Sequence, residues 1–402
     1  MYKKQSIMNN NYNLFRYTLT LLLLTLSFHA GVAANYLCFT AEDAGSKIWI
    51  ESHANTWTYE ESDFIPDISY TTDGGKTWNT MHPNDSITLE NVGDKVYLRG
   101  VNPYGFSEYE DPQGILHNTK FNMSGHIAAS GNVMSLIDGE GITTEIPQEY
   151  CFYNLFSGCS TLTQAPDLPA TKLTKGCYQG MFNGCTNLIQ APDLPATKME
   201  PYCYQSMFYR CEHMKKAPEL AATVLAEECF SNMFADCRSL EKAPELNAKQ
   251  MERSCYSNMF KNCISITEAP DLPATRLADN CYEGMFSKCV SLLTVGELPA
   301  KQLDSACYRN MFDGCWSLTT ITGISAQQLA PYCCMGMFNG CESLTEAPEL
   351  HATKMEDYCY QSMFKDCKGL KSAIELPATE LAEHCYEEIQ PSRRSMTSLG
   401  GI

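Results

Sequence analysis

From Cys151 onward the apolar positions follow a fixed grammar that repeats every 26 residues, with cysteines at Cys151, Cys177, Cys203, Cys229, Cys255, Cys281, Cys307, Cys333, Cys359 and Cys385. In the second unit Cys177, Met181, Phe182, Cys185 and Leu188 stand at offsets 0, 4, 5, 8 and 11, a spacing that predicts one side of a short amphipathic helix. Beyond Leu188 the period changes, and Pro192 and Pro195 forbid a helix, so this half is expected to be extended chain with a short regular strand near Leu188 to Ala191. A period in the range of about 20 to 50 residues marks units that bury their apolar face only against their neighbours. The expected fold class is therefore an α/β solenoid, a leucine-rich-repeat-like stack of 26-residue helix-strand units. Rungs advancing about 4.8 Å each would carry nine units over roughly 43 Å.

The rest of the chain is not periodic. Residues 35–124 are rich in Tyr, Trp, Thr, Val and Ile between turn signals and predict a small β-sandwich, with strands at Leu37 to Ala41, Lys47 to Ile50, Ser86 to Leu89 and Lys95 to Leu98. Residues 125–150 read as a degenerate capping rung, Leu136 falling one period before Leu162. The repeats are expected over 151–388 and an irregular tail over 389–402. At the other end, Lys3, Lys4 and Arg16 precede an apolar run from Tyr17 to Phe28, and small residues follow at Gly31, Ala33 and Ala34. Residues 1–34 thus read as a signal peptide, with no membrane span after its removal and a secreted, extracellular or cell-surface location.

Charge and cysteine usage narrow the chemistry. A formal charge of -18 with no Lys/Arg cluster disfavours nucleic acid as a partner. Cysteines eight residues apart on a helix would lie about 12 Å apart, beyond disulfide reach, so the expectation for the 21 cysteines is two buried ladders of free thiols. The eight histidines are scattered and no tight Cys-x-x-Cys pair occurs, so neither a metal centre nor a cofactor is expected. One exposed column repeats its charge: Asp167, Asp193, Glu219, Glu245, Asp271, Glu297, Glu349 and Glu375. It reads as a solvated acidic stripe, or as a track for weakly held Ca²⁺ or a basic ligand. The seventh unit interrupts it, with Ile321-Thr322-Gly323-Ile324 in place of Ala-Pro-acidic-Leu and Trp316 where other units carry small or polar residues; these five residues form the candidate contact site.

Two resemblances follow from the motifs. Thr71-x-Asp73-x-Gly75-x-Thr77-Trp78 looks like the Asp-box of sialidases, a structural hairpin in that family, and about 110 residues cannot supply a sialidase propeller. Met181-Phe182-Asn183-Gly184-Cys185-Thr186-Asn187-Leu188 and Ala347-Pro348-Glu349-Leu350 resemble the BspA-like leucine-rich repeats of secreted Bacteroidetes proteins. That resemblance implies a curved solenoid at a cell surface, no catalytic residues, and binding or adhesion to a host or neighbouring-cell surface protein or glycan. No convergent acid, base and nucleophile set argues for an enzyme. The competing expectations are a glycan-binding or glycan-processing protein that uses the N-terminal β domain, and a passive structural spacer.

Overall fold

The computed structural model describes residues 35–54, 66–110, 116–372 and 374–390. The expected signal segment and most of the expected tail lie outside the described residues.

The N-terminal region forms two sheets from nine strands: β1 (Leu37–Ala41), β2 (Ser46–Ala54), β3 (Ser69–Thr71), β4 (Asn79–Thr80), β5 (Ser86–Leu89), β6 (Lys95–Arg99), β7 (Glu108–Glu110), β8 (Leu116–Ser124) and β9 (Ile127–Ser130). Alternation is plain in β5, where Ile87 and Leu89 are buried and Ser86 and Thr88 exposed, as a half-buried strand requires. One sheet runs β9-β1-β6-β3-β4 and the other β5-β2-β8-β7. They meet through Phe39 of β1 and Phe121 of β8, whose rings contact edge to face at 5.4 Å. A four-residue helix, α1 (Ser135–Asp138), closes against the first sheet, where Ser135 Oγ donates to the Leu98 carbonyl at 3.0 Å.

The repeats stack rung on rung, but not as helix-strand units. The expected α/β solenoid is overturned on this point: among the described residues α1 is the only α-helix, and the segments expected to be helical are chains of tight turns. The reason lies in the backbone. Every fourth residue is left-handed: Gly176, Gly180 and Gly184 in the second unit (φ 59°, 63° and 75°), and Ser254, Asn258 and Asn262 in the fifth (φ 51°, 53° and 61°). An α-helix of L-residues cannot contain such a residue once per turn. Its ladder is replaced by an alternating one. Gln179, Met181, Asn183 and Cys185 donate their N–H groups within the rung, to the carbonyls of Gly176, Tyr178, Gly180 and Phe182. Tyr178, Gly180, Phe182 and Gly184 donate instead to Cys203, Gln205, Met207 and Tyr209 of the next rung, at 2.8 to 3.0 Å. Every one of these buried donors is thereby satisfied without a helix.

Side chains then point in pairs. Cys177-Tyr178 and Met181-Phe182 face the core, and the intervening pairs face outward or along the stack. Identical residues sit above one another: the phenyl rings from Phe156 to Phe364 form a column with centroids 5.4 to 5.8 Å apart. A second aromatic column from Phe152 to Tyr308 runs beside it and is interrupted at Cys334.

The extended half of each rung mostly pairs through isolated parallel bridges, such as Gln190 with Lys216 and Leu194 with Leu220, because its prolines cannot donate to a ladder. Among the described residues, regular strands in the repeats are confined to β10 (Leu162–Gln164), β11 (Thr294–Leu298) and β12 (Thr320–Ile324). The last two pair in parallel where Gly296 and Thr322 replace the first proline of the motif.

The first rung is continuous with the N-terminal sheets. Leu162 of β10 pairs with Ile127 of β9, and Leu136, expected at that place, lies instead in α1. On the other side Phe106 and Phe121 stand in for a preceding rung. Their N–H groups donate to Cys151 and Leu155, as Tyr178 and Phe182 donate to Cys203 and Met207. Phe121 also stacks on Phe156 at 5.5 Å, so the β domain extends the phenyl column and covers its first face.

Candidate interaction surface

Buried columns of the stack serve packing. The second cysteine of each unit donates its thiol hydrogen to the phenylalanine carbonyl of the rung before, as Cys185 does to Phe156 at 3.2 Å and Cys263 to Phe234 at 3.0 Å. In the first unit the acceptor is Phe121 of β8, which again takes the place of a rung. All 21 cysteines are free and buried. Burial pushes the thiols of Cys177, Cys255 and Cys289 up, to about 12, so these side chains are neutral in the native state.

The acidic stripe lies on the surface, with Asp167, Asp193, Glu219, Glu245, Asp271, Glu297, Glu349 and Glu375 all exposed. Partial burial and then the neighbouring Asp193 raise the Asp167 carboxyl above its ordinary range. Among the described residues no group of three or more His, Cys, Asp or Glu is arranged to hold a metal ion.

In the N-terminal region Asp73 ties its loop closed. It accepts from the Thr77 hydroxyl (2.7 Å) and the Thr77 amide (3.0 Å), from the Thr71 hydroxyl (2.7 Å), and from the Lys76 amide (2.9 Å). These bonds hold its carboxyl well below the usual range, those from Thr77 foremost. The Gly75 amide donates to Thr71 Oγ1, and Gly75 takes the left-handed turn at φ 93°. Trp78 is not free to take a ligand on its face: the Arg99 guanidinium lies 4.0 Å from the ring centroid, and Tyr36 packs against the ring at 5.3 Å.

The seventh unit divides. In β12 Ile324 is buried and Ile321 is half-buried against the core, while Thr322 is exposed and Gly323 half-buried. Trp316 is 59% exposed. The structure does not gather the five into one spot. It does give Trp316 other company. In the column that Trp316 occupies, the rungs on one side carry Ser160, Thr186, Glu212 and Arg238, and those on the other Glu342 and Lys368. Between them stand Ile264, 37% exposed, Val290, half-buried, and Trp316. Leu293, 45% exposed, lies in the same rung as Val290. Three successive rungs thus offer an apolar ridge bounded by charge. Ile264, Val290 and Leu293 were not singled out from the sequence, although aligning the units column by column brings the first two under Trp316.

A stack of near-identical rungs, each packing its core columns on those of its neighbours, defines a repeat protein. The BspA type leucine rich repeat region is the family whose model matches, in six copies over residues 143–267 and 226–371, and these cover more than half of the 402-residue chain. The chain belongs to that family. Its repeats point to a repeat-based protein-interaction module and are typically non-catalytic. No curated protein and no solved structure matches the chain.

Proposed function

We propose that this protein is a non-enzymatic binding protein that acts outside the cell and engages a protein partner through rungs five to seven of its stack. The apolar ridge of Ile264, Val290 and Trp316 carries this reading, because the same column is polar in every other complete rung and exposed contiguous apolar surface marks an interaction site. The charged and apolar composition of residues 1–34 supports export. Trp316 is the natural anchor: large, exposed before binding, and central to the ridge.

The test is a binding screen of the chain against an array of purified cell-surface and extracellular-matrix proteins, repeated with Trp316→Ala and Ile264→Ser. A partner engaged at the ridge should bind Trp316→Ala about thirtyfold more weakly, the equivalent of about 2 kcal/mol for a truncated aromatic anchor. The melting temperature should not move, since the ring is outside the core. Partners that bind both variants as tightly as the parent chain would place the site elsewhere, and a fall of several degrees in melting temperature would make Trp316 a packing residue.

A further inference from the structure

The ridge of Ile264, Val290 and Trp316 has a fixed spacing. Its three residues occupy the same position of successive rungs, and those rungs are 5.4 and 5.8 Å apart at the phenyl column that runs from Phe260 through Phe286 to Phe312. An α-helix lying along the stack repeats its face about every 5.4 Å, and its residues i and i+7 are about 10.5 Å apart, so one apolar residue per turn meets one per rung and the third contact is out by less than about 1 Å. An extended strand repeats its face about every 6.8 Å and is out by about 2 Å at the third rung. Along this ridge a helix keeps register and a strand loses it.

Charge gives the helix a side. Lys288 is exposed, two positions before Val290, and its stem lies over Gly314 of the next rung, where a Cβ built on the glycine would come within 3.4 Å of Lys288 Cγ. Lys261 is exposed three positions before Ile264. Among the described residues neither lysine has an ion-pair partner, while the carboxylates of that flank are engaged, Asp236 by Asn262 and Arg238, and Asp313 by Asn339 at 2.7 Å. The other flank is uncharged at Thr267, Leu293 and Thr319, with Glu268 just beyond. Two unpaired ammonium groups along one side of an apolar strip complement carboxylates along one side of a partner.

Trp316 closes the strip at one end, because the next rungs carry Glu342 and Lys368 in that column, already paired with each other. At the other end the column carries Arg238, exposed and 4.0 Å from Asp236. The apolar strip is thus about two helical turns long, and further turns of an occupant lie over charge. A second copy of the described chain has no such helix to offer: among the described residues the only α-helix, α1, has four residues.

We propose that the ridge receives an amphipathic α-helix of a different protein, laid along the stack with one apolar residue per turn on Ile264, Val290 and Trp316 and with acidic residues toward Lys261 and Lys288. This rests on the ridge being the contact surface and adds the form and charge of its occupant.

The probe is an acetylated and amidated peptide four helical turns long, with one leucine per turn on one face, glutamates along one side of that face, and alanine and glutamine elsewhere. The control has the same composition with its leucines spread around the helix. Both are titrated calorimetrically into the full chain at about 0.15 M salt. The probe should saturate and the control should not. Trp316→Ala should weaken the probe about thirtyfold. Lys288→Glu keeps the Cβ of its left-handed residue, so its melting temperature should hold, and it should weaken the probe about fivefold, because an exposed ion pair is replaced by a like pair; that loss should shrink at about 0.5 M salt. If Trp316→Ala folds poorly, Lys288→Glu still decides. Equal binding of probe and control, no saturation up to about 1 mM probe, or parental affinity in either folded variant would overturn the docked helix. The protein array judges the ridge separately: partners that need Trp316 while the helical probe fails would leave the ridge standing and remove the helix.

Discussion

Lys288→Gly distinguishes turn-built rungs from helical ones by the sign of its effect. Lys288 is exposed, has φ 62°, and donates its amide to the Asp313 carbonyl of the next rung at 2.7 Å. The equivalent residue is glycine at Gly158, Gly184, Gly314 and Gly340, so the backbone accommodates glycine there. Holding an L-residue in the left-handed region costs about 1–2 kcal/mol, which glycine escapes. Glycine gives back about 0.5–1 kcal/mol through the greater freedom of the unfolded chain. The net expectation is a gain of about 0.5–1 kcal/mol for Lys288→Gly. Lys288→Ala should change little, because alanine keeps the Cβ that causes the strain. On a helix the order reverses: glycine would lose nearly 1 kcal/mol and alanine would gain slightly. Urea titration followed by far-ultraviolet circular dichroism and tyrosine fluorescence measures both variants against the parent. A stack of repeats need not unfold in one step, so the comparison is made on the transition that both probes share. A lower midpoint for Lys288→Gly together with a higher one for Lys288→Ala would refute the left-handed rung.

Phe260→Ala should cost about 3–5 kcal/mol, toward the upper end, because the fully buried ring is lost from between Phe234 at 5.6 Å and Phe286 at 5.4 Å and the stack above and below cannot collapse into the gap. A denaturant midpoint within error of the parent would put that ring outside the core. For the thiols, burial raises the pKa at Cys177, Cys255 and Cys289 to about 12, so their reactive thiolate is scarce at pH 8 in the folded chain and increases on unfolding. Iodoacetamide should therefore label few cysteines natively and all 21 after denaturation without reductant; finding most of them already paired would sink the free-thiol columns.

Much of the packing could be read from residue order alone. Cys177, Met181, Phe182, Cys185 and Leu188 are interior, as their spacing required, and the eight carboxylates of the stripe are exposed. What the spacing could not settle was the local conformation. Apolar offsets of 0, 4 and 8 drift by about 40° per step on a helix of 3.6 residues per turn, and still fall within one apolar face about 100° wide. A true period of four therefore passes for a helix. The discriminating signal lay on the outward side, where Gly180 and Gly184, Asn258 and Asn262, or Ser206 recur every fourth residue. Those are residues that tolerate the left-handed region, and Lys288, Arg210 and the tyrosines in equivalent places dilute the pattern. The register of the first rung was hidden for another reason: its neighbours, Ile127 and Phe121 from strands and Phe106 from the loop before β7, share no period with the repeats.

The same geometry explains where such a protein can carry information. A buried column must hold nearly the same side chain in every rung, because each ring or thiol packs on its own counterpart, so specificity is confined to the outward columns. Loss of the first proline in the sixth and seventh units restores backbone donors and lets β11 and β12 pair over several residues where other rungs manage single bridges. Val290, Leu293 and Trp316 sit immediately before those strands in the same two rungs. Two of the ridge's three rungs thus run directly into paired strands, while the rung of Ile264 keeps Pro270 and makes only the single bridge of Glu268 with Thr294. On the proposed reading the departures at Gly296 and Thr322 and those at Val290 and Trp316 act together, the first adding backbone pairing just beyond the place where the second expose apolar side chains.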